Sequence, residues 1–452
     1  MASGIAKCST VALAGPSVRS SVCYSHRNAS RGISEPRWHV GTALLFIAIV
    51  VLCLGSTLQV SGFPWGALLP WQILMPVLTL WLASWRWWRV PKSEALLVAM
   101  WVGGLGVSSL VALMRNADAL EVAKGASLVW TDIVLTGLAL VASSRQFRVI
   151  VLAVSVGLSL SLVLGLLECL ELWRFAGSSQ VLGAGSSDLP ARFRDWAASA
   201  PAAGWGNPNN FAANQAVLAS IALQTAPYGS LMLVPITFVV AKTESLLAEI
   251  GLVIAVVGTW WRPVGPRAHL STRGALLAVG AIVTLLLLGD PASSLRIRAD
   301  EVVAGDDKRM QLLFLSADAL TPGSWIGAGP GFGYEWMEAT ATKRDVDYHS
   351  DPHNQFASAF IETGLMGGIG FAGLMTLAVV RASRSRTGGL LRRDRSRRTA
   401  GFRLARVLAF VLPVTFCASS SSTPVWPLWL ALGIAIRGTR PSSPRSGEAT
   451  WL

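Results

Sequence analysis

The sequence predicts an all-α, polytopic transmembrane protein, and three observations carry that expectation. Of its 452 residues 52% are hydrophobic and only 14% charged, with a mean hydropathy of +0.51. Apolar runs of about twenty residues, the length that crosses a hydrocarbon core, recur along most of the chain. The formal net charge of +13 comes from Lys and Arg in short segments between those runs, the pattern of orientation signals and not of a nucleic-acid surface. No nucleic-acid partner is expected; membrane lipids are.

Residues 1–38 form a basic tail, rich in Ser and Arg, with Glu35 as its one acid. About twelve spans follow, near 40–60, 65–84, 94–114, 124–143, 149–171, 209–226, 230–241, 244–260, 272–289, 354–380, 407–421 and 424–437. With the tail inside, the segments SWRWWRVPK, SSRQFR, WWRPVGPRAHLSTR and RASRSRTGGLLRRDRSRRTAGFRLAR all fall on the cytoplasmic side, in agreement with the positive-inside rule. Two long connections then fall outside, 172–208 and 290–353, and long loops in an economical membrane protein are usually functional. The expected organisation is a cytoplasmic tail 1–38, nine membrane helices over 39–289, a large, partly helical periplasmic loop 290–353, three helices over 354–437 and a tail 438–452. Cys8, Cys23, Cys53, Cys169 and Cys417 are scattered without C-x-x-C spacing, so neither a disulfide framework nor a zinc site follows.

Two spans open with the same grammar. In SDPHNQF, Asp351 suits an N-cap and Pro352 the first helical position, which leaves His353 and Asn354 in the first turn. In GNPNNFAANQ, Asn207 and Pro208 take those places, followed by Asn209 and Asn210. A helix N-terminus carries partial positive charge and unpaired N–H groups, which suits phosphate and opposes protonation of a histidine there. A neutral His353 can accept a proton; the plainer alternative is that these residues only cap the helix. His349, Asp351 and His353 also resemble a metal cluster, but Pro352 keeps His349 off the helix and no further ligand is evident, so no metal is expected.

Within the large loop, KRMQLLFLSADAL reads as an amphipathic segment from about Asp307 to Leu320, opened by Lys308 and Arg309. The arginine's planar fork suits phosphate oxygens. The glycines of GAGPGFG imitate a nucleotide loop, yet no strand precedes them and no helix is expected directly after. Glu362 and Ser358 share a helical face, where the carboxylate holds the helix or lines a cavity. Asp132 and Glu168 are further ionisable groups inside spans.

GWGNPNNFA, then KRMQLLFLSADALTPGSWIGAGPGFG, then DPHNQFASAFIETGLMGGIGF resemble, in order and spacing, the O-antigen ligase and polymerase superfamily. The resemblance runs from about residue 204 to 380. It implies a GT-C-like architecture in the bacterial cytoplasmic membrane, with a cavity under a large periplasmic loop. It implies metal-independent, cofactor-free glycosyl transfer from an undecaprenyl diphosphate-linked glycan to a glycan or lipid acceptor. The loop arginine of that family corresponds to Arg309 and its helix-mouth histidine to His353. Relatives carry Ser-Arg-Gly or similar after the Asn-Pro-Asn helix, where this chain reads VVAKTESLLAE. Lys242 is the nearest cation, although strict alignment puts Glu244 at the arginine position; STRGALL supplies Arg273 only on the cytoplasmic side. His349, Asn207, Asn209, Asn354 and Glu362 complete the expected substrate-binding set. The rival reading from another class is a lipid or polysaccharide transporter, which calls for polar or broken helices at mid-membrane.

Overall fold

The computed structural model describes residues 40–54, 60–63, 66–68, 70–84, 87, 90–174, 199–203, 205, 207–225, 230–264, 267–270, 280, 308–319, 325–343, 354–384, 398–418 and 425–440. Among them the chain is built of helices, with two short antiparallel hairpins. It runs α1 (Val40–Cys53), β1 (Val60–Phe63), β2 (Gly66–Leu68), α2 (Pro70–Ser84), α3 (Lys92–Met114), α4 (Ala119–Val141) and α5 (Ser144–Cys169). Then come α6 (Pro208–Thr225), α7 (Leu233–Lys242), α8 (Leu246–Trp260), β3 (Trp261–Val264) and β4 (Arg267–Leu270). The chain continues as α9 (Lys308–Ala319), α10 (Gly333–Lys343), α11 (Gln355–Arg384), α12 (Arg398–Ala418) and α13 (Trp426–Gly438). The hairpins qualify the all-α expectation. The second closes on itself beyond α8, with Trp261 opposite Leu270 and Val264 opposite Arg267.

Eleven of the twelve expected spans coincide with helices; the span near 272–289 lies, apart from Gly280, outside the described residues. Four helices, α3, α4, α5 and α11, are long and apolar enough to cross a membrane. The outward sides of α3 and α5 carry exposed Leu96, Leu110, Leu152 and Val163, the inverse of a water-facing helix and the character of a lipid-facing one. The molecule is a helical membrane protein.

Local sequence sets the helix starts. Asp118 caps α4 by accepting from Leu120 N at 2.7 Å, and Ser143 with Gln146 forms a capping box on α5. Small residues then let helix backbones approach. Gly104 of α3 meets the backbone of Gly367, and Gly370 of α11 meets Trp101, so these two helices pack antiparallel. Side chains are buried from Trp426 to Ile436 of α13, and Trp429 nests among Trp101, Phe371 and Phe416 with ring centroids 4.6–5.2 Å apart.

The antiparallel packing gives the bundle two ends. At one, fully buried Glu94 accepts from Arg381 Nη1 at 2.5 Å and from Arg440 Nε at 3.0 Å, while Arg437 lies over the Phe147 ring and donates to Leu140 O. The other end carries the starts of α6 and α11. Phe356 in the first turn of α11 meets Phe416 in the last turn of α12. Beside it, Thr415 lies against Gly251 of α8, which in turn lies against Ala216 of α6. Helices α9 and α10 cap this second end. A smaller apolar core holds them there, made of Leu315, Ala319, Met337, Ala341, Ala357 and Ile361.

Candidate functional site

The mouth of α6 is held by the end of α5. Glu168 accepts from Ala202 N at 2.8 Å and Ala203 N at 2.7 Å, and Trp205 Nε1 donates to Ser161 Oγ at 3.0 Å. A buried carboxylate gripping two backbone N–H groups fixes the approach of the chain to the helix, and Ala203 takes the left-handed φ of 46° that the turn requires. Asn207 then caps α6 as expected. Its Oδ1 accepts from Asn209 N at 2.8 Å, and Pro208 is the first helical residue. Asn207 is buried and Asn209 half-buried, so the former's carbonyl oxygen serves the helix itself.

Lys242 is the last residue of α7 and exposed, and its charge reaches Cys169 at the end of α5. The lysine therefore belongs to the mouth of α6. Glu244 follows on the same exposed turn with φ 54°.

The start of α11 corrects one expectation. Asn354, not Asp351, is the cap. Its Oδ1 accepts from Phe356 N at 2.9 Å and from Ala357 N at 3.4 Å, and the helix begins at Gln355. Asparagine is as good a cap as aspartate, and its carbonyl here meets the second and third helical amides. In the sequence, His353 is the residue before this cap. His353, His349 and Asp351 themselves lie outside the described residues. Arg309 stands in the first turn of α9, where the backbone is described.

Above Asn354 and Glu362 lies a feature that the sequence only half announced. Helix α11 breaks at Gly364, with φ 69° and ψ −174°, a left-handed conformation that glycine adopts without steric cost. The break frees backbone groups, and the glycine-rich loop takes them. Ala328 N donates to Ile361 O at 2.7 Å, Gly329 N donates to Glu362 O at 3.2 Å, and Leu365 N donates to Trp325 O at 2.8 Å. A Cβ on Gly333, the first residue of α10, would stand 2.9 Å from Glu362 Oε1. The carboxylate thus sits against a helix N-terminus, where negative charge is favoured. A helix does follow GAGPGFG directly, contrary to expectation, but two of the loop's amides are engaged by α11 carbonyls and do not form a phosphate cradle. Trp336 Nε1, donating to Ala319 O at 3.2 Å, ties α10 to α9, and Arg115 lies 5.6 Å over the Trp336 ring.

The chain matches no protein-family model, and no curated protein matches it.

The capped end therefore brings together Asn207, Asn209 and Lys242 at one mouth and Asn354 with Glu362 at the other. Sequence reasoning noted Glu168 and Asp132 only as ionisable groups inside spans, and it passed over Asn214 and Gln215. Glu168 is the clamp on the α6 mouth, Asp132 of α4 lies within electrostatic reach of Glu362, and Asn214 and Gln215 are fully buried on α6. Asn210 and Asn214 recur one turn apart in an apolar helix, which is the signal that could have found the last pair. Among the described residues, no three His, Cys, Asp or Glu side chains gather as metal ligands.

Proposed function

We propose that the chain is a membrane glycosyltransferase of the O-antigen ligase kind. It moves a glycan from undecaprenyl diphosphate to an acceptor hydroxyl at the capped end of the bundle, on the periplasmic side of the bacterial cytoplasmic membrane. The observation that carries this reading is convergence. Two asparagine-capped helix N-termini, Lys242 and the start of α9 with Arg309 all belong to one end of a lipid-facing bundle, and a lipid-linked diphosphate presents its charge at such an end. In the reaction, the acceptor oxygen attacks the anomeric carbon as the bond from that carbon to the diphosphate oxygen breaks. His353 takes the acceptor's proton, and Arg309, Lys242 and the helix N-termini stabilise the departing diphosphate. The anomeric centre inverts.

The broken helix bears on the transporter alternative. Transporters break their helices at mid-membrane. Here the helix from Gly364 to Arg384 is about 30 Å long, itself a full hydrocarbon thickness. The break then belongs at the membrane boundary, where Trp325, 60% exposed beside Leu365, suits an interfacial anchor. Analysis of lipid-linked glycans in a strain lacking the protein tests the reading. Full-length polymer accumulating on the carrier identifies a ligase, and single repeat units identify a polymerase of the same superfamily. A carrier pool unchanged from wild type overturns both.

A further inference from the structure

Asn214 and Gln215 lie in the second turn of α6, and neither side chain is exposed at all. Among the described residues, Asn214 Nδ2 and Oδ1 and Gln215 Nε2 and Oε1 have no hydrogen-bond partner. Buried amides without partners are costly and are rarely tolerated in a native core. Phe211, one turn before them on the same flank of α6, packs its ring against Gly165 of α5. The other flank of α6 meets α8, where Ala216 lies beside Gly251 and Gln224 Nε2 donates to Thr259 Oγ1 at 2.8 Å.

We infer that α6 and α5 flank a binding site for hydroxyl groups, centred on Asn214 and Gln215 beneath the mouth of α6. The chemistry of the orphaned atoms selects this class. Each amide leaves both a donor and an acceptor unmet. A cation would satisfy only the carbonyl oxygens and an anion only the NH₂ groups, whereas a hydroxyl donates and accepts. Water and carbohydrate hydroxyls share that chemistry. The site is a property of the helix bundle and does not depend on the transfer reaction proposed above.

Radiolytic labelling of the full-length protein in lipid nanodiscs and heavy-oxygen water tests this site. Phe211 has a fully buried ring and lies within one turn of both amides, so water held there delivers hydroxyl radicals to it. Phe211 should be oxidised several-fold faster than Phe371, an equally buried ring packed among aromatics. Labelling unchanged by millimolar glucose and N-acetylglucosamine identifies water as the occupant; labelling suppressed by either sugar identifies a carbohydrate site. Asn214→Leu and Gln215→Leu should each bring Phe211 down to the Phe371 rate. Equal labelling of the two rings in the wild-type protein overturns the inference, whether or not the variants fold. Leucine variants that fold and keep fast Phe211 labelling overturn it too.

Discussion

His353 immediately precedes Asn354, the residue that caps α11, so the loss of the proposed general base and the loss of the cap can be tested on different side chains. Loss of a general base costs about 10²–10⁴ in rate, whereas loss of a cap costs about 0.5–2 kcal/mol of stability. His353→Ala is therefore expected to insert at wild-type levels, bind the lipid-linked donor and lose most transfer, assayed with purified protein in the presence of a chelator. Asn354→Ala should instead lower the yield of folded protein. Near-normal turnover by His353→Ala would remove the histidine from the reaction. For Arg309 the expected loss is that of a charge-assisted contact, roughly 1.5–3 kcal/mol of donor binding. Arg309→Lys should keep part of it, because the charge remains while the fork is lost. A donor affinity of Arg309→Ala equal to that of the wild type reduces the arginine to a surface charge.

At the scale of elements, the clasp between the glycine-rich loop and the break in α11 joins the cap to the bundle. A Cβ at Gly364 would both oppose the left-handed φ, at about 1–2 kcal/mol, and collide with the backbone of Ile326. Gly364→Ala should therefore release the cap before it unfolds the bundle, seen as faster hydrogen exchange in α9 and α10 with α3 and α5 unchanged. Uniform protection across the variant would show that the clasp does not hold the cap. The opposite end has its own tie. Glu94 of α3 binds Arg381 of α11 and Arg440 beyond α13, and removing it leaves two arginines facing each other in a largely buried site. Breaking a buried pair in this way costs about 3–5 kcal/mol. Glu94→Ala should lower the melting temperature far more than Arg440→Ala, which leaves Arg381 in place.

For the whole molecule, every assigned role requires the capped end to face outward. A cysteine placed at Ser350 should be labelled by a membrane-impermeant thiol reagent added to intact cells, and one at Ser396 only after the membrane is opened. The reverse pattern would sink the transfer reaction, because the carrier-linked diphosphate and acceptor would lie across the membrane from His353. How much was legible beforehand follows from the range of the signals. Apolar runs and cap residues act within a few turns, so eleven helices and the Asn207–Pro208 start of α6 could be read from the chain alone. The choice between Asp351 and Asn354 as a cap could not, because both satisfy the same local rule. The break at Gly364 was equally hidden, since glycine in an apolar run reads as a helix-packing residue until a partner loop supplies the hydrogen bonds that its break requires. By itself, then, the sequence determined a helical membrane protein with polar helix mouths, because hydropathy and capping are properties of neighbours along the chain. Only the tertiary structure decided that the glycine-rich loop seals a broken helix and that Glu168 holds the α6 mouth. Each of these joins residues that are distant in sequence and meet only when the bundle is packed.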